Sequence, residues 1–389
     1  MKPVLRPITA GLLTVLIAFM LHVAPAKGQA AQPTQAARPQ GTQMAETVFK
    51  NVLVLKGIPV DEFMDTMGMF SAATSLNCVS CHTEDSAGAW EKFADDTPMK
   101  QTARRMVLMM NNLNRTNFAN ERKVTCFTCH NGNQHPRSGA NLKIQYRDPD
   151  DDPNEIQVPP EGFPDAPTPD AVFNKYIQAV GGAQRAGAIT TFVAKGTLSG
   201  FDTEHMKLPV EIYSKAPNQR TQILHALFGE KINVFNGTAG WFSSADRPVP
   251  LIPLTGGNLD GARIDALVFF PTHLKEVATN WRVGNTTIDD QEVVVVQGTS
   301  SKQDVNLYFD ANTGLLVRMV RYADTVVGRV PTEIDFTDYR DVNGVKFPFK
   351  FESIWTDNRT MTELTSIQTN AAIDAARFNR PAPAPPSRQ

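Results

Sequence analysis

The sequence predicts a two-domain α+β chain: a small all-α domain followed by a β-rich domain built on a curved antiparallel sheet or half-open barrel. Three observations lead there. At 389 residues the chain exceeds the usual size of one domain. All four cysteines fall within residues 78–129, among helical patterns. From residue 191 onward the pattern changes to short alternating apolar segments broken by Gly, Asn and Asp turns.

Composition narrows the field. The formal net charge is −2 and no long Lys/Arg run is present, which argues against a nucleic-acid partner. Four cysteines are too few for a disulfide-dense scaffold of this length.

In chain order, residues 1–30 read as a signal peptide. Lys2 and Arg6 precede an apolar run at 11–24, and small residues then offer cleavage after Ala26 or Ala30. The run is shorter than the roughly 20 residues that cross a bilayer, so the expectation is an exported, periplasmic protein. Residues 31–44 form a Gln/Ala/Pro-rich linker, and residues 45–136 the helical domain. Residues 137–168 read as a second linker, since eight prolines fall within 136–169 beside the acidic run 148–152. Residues 169–379 form the β-rich domain, and 380–389 a Pro-rich disordered tail.

The helical domain carries the chemistry. Cys78-Val79-Ser80-Cys81-His82 and Cys126-Phe127-Thr128-Cys129-His130 are two copies of one pattern, with no cysteine left over. This is the attachment pattern for haem c. Two thiols one helical turn apart form thioethers with the vinyl groups of one haem edge, and the next histidine becomes the proximal iron ligand. A zinc site on the four cysteines, or a dithiol redox pair, leaves the histidine after each pair unexplained. Two covalently bound haem c groups are therefore expected, on Cys78, Cys81, Cys126 and Cys129, with His82 and His130 on the irons.

A Met-bearing helical pattern precedes each motif. Phe63, Met67 and Phe70 share a stripe before the first; Met106, Met110 and Leu113 share one before the second. Pattern alone leaves Met64, Met67 and Met69 open as a sixth ligand, and His135 competes for the second iron. Arg104 and Arg105 are candidates for propionate contacts. Trp90, Phe93 and Phe118 are candidates to shield haem edges.

With those residues in view, residues 50–136 resemble one half of the tetrahaem cytochrome subunit of photosynthetic reaction centres. The likeness rests on Asn51-Val52-Leu53-Val54-Leu55, on Glu62-Phe63 with Met67 before Cys78, on Arg104-Arg105-Met106 before Cys126, and on Cys129-His130-Asn131-Gly132 ending at Pro136. The resemblance implies that each haem takes its distal methionine from the helix just upstream, pairing His82 with Met67 and His130 with Met106. Two motifs stand where that family has four.

The β-rich domain opens with a helix over 169–182, capped by Thr168 and stopped by Gly181-Gly182. Ten strands follow, at 191–198, 208–214, 219–227, 231–235, 292–298, 305–309, 315–322, 332–339, 347–353 and 361–368, with a helical stretch near 259–277. Turns after Asp310 and Asp341 make antiparallel meanders. One leading helix and a long meander are similar to the lipoprotein-carrier (LolA/LolB-like) fold, in which a concave apolar face holds a lipid; here such a face is open to a lipid, a quinone or a partner's segment, or to filling as a packed core. His205, His225 and His273 lack metal spacing, and no catalytic constellation is found in this half.

The expected function is single-electron transfer, without enzymatic turnover, between redox partner proteins or with a membrane electron-transfer complex, the β-rich domain docking or binding a hydrophobic molecule. Two alternatives are a haem-dependent oxidoreductase or peroxidase with an open iron, and a redox sensor whose haem state alters binding in the β-rich domain.

Overall fold

A computed structural model of the chain describes residues 41–139, 153–163, 165–301, 303–356 and 358–385. The expected signal peptide, most of the first linker, the acidic run 148–152 and the end of the tail lie outside these residues.

The N-terminal part comprises α1 (Ala45–Val48), α2 (Val60–Thr74), α3 (Cys78–Cys81), α4 (Pro98–Asn117) and α5 (Cys126–His130), with 3-10 turns at Glu84–Ala87 and Trp90–Ala94. Pro59 leads into α2, acidic Asp61 and Glu62 occupy its first turn, and Ser75 ends it in the left-handed conformation. For α4, Thr97 Oγ1 accepts from Lys100 N at 3.0 Å and Pro98 opens the first turn. The expected stripes hold only in part. Phe63, Met67 and Phe70 pack inward together, whereas α4 buries Val107 and Met110 and leaves Leu113 exposed with Leu108 and Met109.

The C-terminal part begins with α6 (Pro169–Ala179) and α7 (Ala183–Gly187). The strands are β1 (Thr191–Gly200), β2 (Leu208–Lys215), β3 (Gln219–Ala226), β4 (Gly229–Phe235), β5 (Gly240–Ser243) and β6 (Leu251–Pro253). After α8 (Gly256–Leu267) and a 3-10 turn at Pro271–Val277 come β7 (Thr279–Ile288), β8 (Gln291–Ser300), β9 (Gln303–Asp310), β10 (Leu316–Thr325), β11 (Gly328–Val342), β12 (Val345–Ile354) and β13 (Arg359–Thr369). They form one antiparallel sheet in the order β6-β5-β4-β3-β2-β1-β13-β12-β11-β10-β9-β8-β7. Two meanders are joined at the centre by β1 and β13, with Phe192 opposite Thr369.

Curvature follows from one helix. α8 packs against β3 and β4 on one limb and β10 on the other. Six strand spacings separate β3 from β10, about 29 Å in a flat sheet, whereas a helix is roughly 10 Å across. The sheet must curl around α8, and it stops short of a barrel because β6 and β7 remain its edges. Much of the concave face is a packed core: Phe173 and Tyr176 of α6, Ile264 and Leu267 of α8 and Leu274 meet Phe192, Phe309 and Phe347 of the strands.

Two features depart from a picture of beads on linkers. Within the expected second linker, Ile156 and Val158 pack on Val293, Val295, Tyr308 and Val320. Gln297 Nε2 donates to Ile156 O at 2.9 Å and Arg282 Nη1 to Val158 O at 2.8 Å, strapping this stretch across β7–β10. The helical part also shares a core with the sheet: Leu55, Ile58, Met69, Val107 and Met110 pack with Val327 and Val330 around the β10–β11 turn. The described residues form one compact unit.

Candidate haem site

Both Cys-x-x-Cys-His motifs fold as single helical turns with the same local logic. Asn77 Oδ1 caps α3 by accepting from Ser80 N at 3.0 Å. Thr125 Oγ1 caps α5 by accepting from Thr128 N at 3.2 Å, and Thr128 Oγ1 accepts in return from Thr125 N at 3.1 Å. The hydroxyl residue inside each motif is thus the third residue of a capped turn. That turn sets the cysteines three apart on one face. All four thiols are free, Cys78 and Cys129 exposed, Cys81 and Cys126 half-buried. Burial raises the Cys81 thiol and pushes Cys126 up to about 11, so both are held protonated.

The histidines are oriented alike. His82 Nδ1 lies 3.0 Å from Phe93 O, and His130 Nδ1 lies 3.0 Å from Asn133 O. A carbonyl only accepts, so Nδ1 carries the proton in each ring and Nε2 keeps its lone pair free for a metal. Burial first, and then the charge of Lys100, lowers the His82 pKa and favours the neutral ring. Lys100 Nζ donates to Phe93 O at 2.8 Å and to Ala94 O and Asp95 O at 3.1 Å, which fixes the carbonyl that holds His82. The Phe93 ring lies 4.8 Å from the His82 ring and stacks on Trp90 at 5.2 Å. Next along the chain, Thr83 Oγ1 and Ser86 Oγ are buried hydroxyls without a hydrogen-bond partner. Free thiols on one face, an Nε2 lone pair and unpaired hydroxyls one and four residues further along the chain fit a haem with its carboxylates. Among the described residues no three His, Cys, Asp or Glu side chains converge on one point, as the zinc alternative requires.

The other sequence-predicted residues are placed as follows. Met67 and Met106 are half-buried, on α2 and α4. The C-terminal end of α2 closes on α5, where Gly132 N donates to Ala73 O at 2.9 Å and Ser75 Oγ to Gly132 O at 2.6 Å. The first turn of α4 closes on α3, with Thr97 Oγ1 donating to Cys81 O at 2.5 Å. Each Met-bearing helix therefore also touches the other motif. Arg104 binds Asp96 Oδ1 at 2.7 Å and Asn51 O at 2.9 Å, and Arg105 donates to Thr102 Oγ1 at 2.8 Å. His135 and Phe118 are exposed. In the sheet His225 pairs with Glu230, and in the 3-10 turn before β7 His273 pairs with Glu276.

Several positioning residues gave no sequence signal. Asn114, buried on α4, accepts from Val124 N at 2.9 Å and Lys123 N at 3.1 Å and donates to Val124 O at 2.7 Å, pinning the loop that delivers Cys126. From the sheet side, Val327 O accepts from Cys126 N at 3.2 Å. Asp61 and Asp65 of α2 are buried against α8. Asp61 accepts from Thr255 N at 2.5 Å and Asp65 from Asn258 Nδ2 at 2.6 Å. Burial raises both carboxyls, Asp65 to about 7.

No helix among the described residues is long and apolar enough to cross a membrane. Residues 258–364 match a family of unknown function. Solved structures similar to this chain include a LolA superfamily protein from Nitrosomonas europaea, at 13% identity and TM-score 0.38 over 55% of this chain and 99% of that one. Another is a DUF1329 family protein from Desulfovibrio piger, at 10% identity and TM-score 0.36 over 54% and 96%. Photosynthetic reaction center cytochrome c subunits are similar over the helical part: 35% identity for that of Rubrivivax gelatinosus, over 30% of this chain and 34% of that protein, and 37% for that of Thermochromatium tepidum, over 28% and 27%. The chain thus spans about a third or less of the length of these relatives. Residues 17–153 match the family described as photosynthetic reaction centre cytochrome C subunit, so the resemblance seen in the two Cys-x-x-Cys-His motifs extends to the whole helical part.

Proposed function

We propose that this chain is an exported dihaem c-type cytochrome that relays single electrons to and from protein partners, a membrane electron-transfer complex among them. The observation that carries the reading is the repeated histidine geometry. In both motifs a backbone carbonyl 3.0 Å from Nδ1 leaves Nε2 as the ligand atom, directly after two cysteines on one helical turn. When bound, haem supplies a reversible one-electron iron couple. The residues of the chain do the rest. Cys78, Cys81, Cys126 and Cys129 would hold the two groups covalently, and His82 with Met67 and His130 with Met106 would ligate the irons. A neutral thioether favours ferrous iron and raises the potential. Thr83 and Ser86 would offer hydroxyls to carboxylates, and the stacked rings of Trp90 and Phe93 would cover part of a haem edge beside His82.

The test is covalent stoichiometry with single-motif variants. Intact mass spectrometry of the full chain, expressed with a haem-maturation system, is expected to show two added haem groups. C78A/C81A and C126A/C129A are each expected to retain one. A chain that takes up none, or zinc instead, overturns the reading. In the single-haem backgrounds, Met67→Ala is expected to turn the haem on Cys78 and Cys81 high-spin and Met106→Ala the one on Cys126 and Cys129; the reverse pattern overturns the pairing.

A further inference from the structure

The concave side of the sheet retains a cavity of about 300 Å³ between α8 and the inner ends of the strands. Val268, Phe269 and Phe351 line its apolar side, and Arg220, Arg321 and Asp265 its polar side. The three charges are not equivalent. Arg321 and Asp265 form a two-pronged pair, Nε to Oδ1 at 3.0 Å and Nη2 to Oδ2 at 2.9 Å, and satisfy each other. Arg220 is half-buried and, among the described residues, has no two-pronged carboxylate partner, although the charge of Asp265 acts on it. Its Nη2 donates to the neutral Gln222 Oε1 at 3.0 Å, its guanidinium sits 5.6 Å over the Phe269 ring, and its Nε is buried without any acceptor. Burial lowers its pKa, yet a guanidinium stays charged at any physiological pH.

The charged residues that line the cavity, two arginines and one aspartate, therefore leave one positive charge in excess, and a partly desolvated charge is costly unless paired. That excess matches a single negative charge. A neutral quinone leaves Arg220 unpaired, and a doubly charged phosphate leaves a charge of its own. Size sets the other limit. The space takes about ten water-sized groups, at the low end for small-molecule sites, too little to enclose a two-chain lipid. We propose that this cavity binds a small amphiphilic carboxylic acid, its carboxylate on the free edge of Arg220 and its hydrocarbon body against Val268, Phe269 and Phe351. The proposal stands on the sheet and α8 and does not depend on the haem reading.

The experiment is calorimetric titration of the full chain with octanoate and with octanol, two probes with the same apolar body, one charged and one not. Octanoate is expected to bind roughly tenfold or more tightly than octanol, the margin of one charge-assisted hydrogen-bonded pair. Arg220→Gln is expected to erase that margin and leave octanol binding in place. Equal affinities in the unaltered chain, no saturable octanoate binding, or undiminished octanoate binding by Arg220→Gln overturns the proposal. If Arg220→Gln does not fold, the unaltered chain decides through the octanoate-to-octanol ratio, and Phe351→Trp, which fills the cavity, is expected to abolish both.

Discussion

A histidine ring offers a metal only the nitrogen that its surroundings leave free, and here the surroundings are backbone carbonyls. Phe93 O and Asn133 O take the Nδ1 protons of His82 and His130. They lie 11 and 3 residues downstream of the rings they hold, so the two sites reach one geometry by different local routes. Side-chain caps set up the turns that carry the cysteines. Thr125→Ala removes the acceptor for Thr128 N and is expected to cost about 1 kcal/mol. Denaturant titration checks this: the midpoint falls with an unchanged slope, and an unmoved midpoint contradicts the capping role. The motifs and their histidines are legible from spacing alone. The carbonyls that orient them are not, because any residue supplies a carbonyl and only the fold says which one arrives.

At the scale of elements, α2 joins the two halves of the chain. Its Gly68 lies where a Cβ would stand 2.6 Å from Trp355 Cη2 and 2.7 Å from Thr356 Oγ1, so the helix reaches the β12–β13 loop only without a side chain there. Gly68→Ala is expected to destabilise the chain by about 1–3 kcal/mol through overpacking, read as a lower midpoint of thermal unfolding. No loss of stability contradicts the close approach. Asp61 of α2 does for α8 what Thr255 does not, accepting the Thr255 N–H at the start of that helix. Ten strands and the helix at α6 follow from alternation and turn chemistry. Three strands escape that reading for physical reasons. β5 and β6 have four and three residues, too few to show a period, and Pro253 ends β6 on an open edge. β7 is an edge strand rich in Asn and Thr, with only Val283 and Gly284 buried.

For the whole molecule, composition predicts two domains and a linker, but the packing ties the segments together. Val327 of the β10–β11 turn is fully buried against the helical part and accepts from Cys126 N, so the sheet backs the second motif directly. Loss of haem absorbance and loss of sheet circular dichroism are expected to coincide on heating. Val327→Asp is expected to lower both together, by roughly 3 kcal/mol for a charge buried in an apolar seam. Two separate transitions contradict the shared core. Sequence periodicity does not reveal such a seam, since Val327 and Met69 are some 258 positions apart and each reads as an ordinary core residue of its own segment.

The central claim is that both irons are held by a histidine and a methionine for electron transfer. An optical redox titration of the full chain carrying its haems tests it most directly. Two low-spin components, both titrating at positive potential, are expected. A high-spin component that binds added ligands, or one at strongly negative potential, would contradict it.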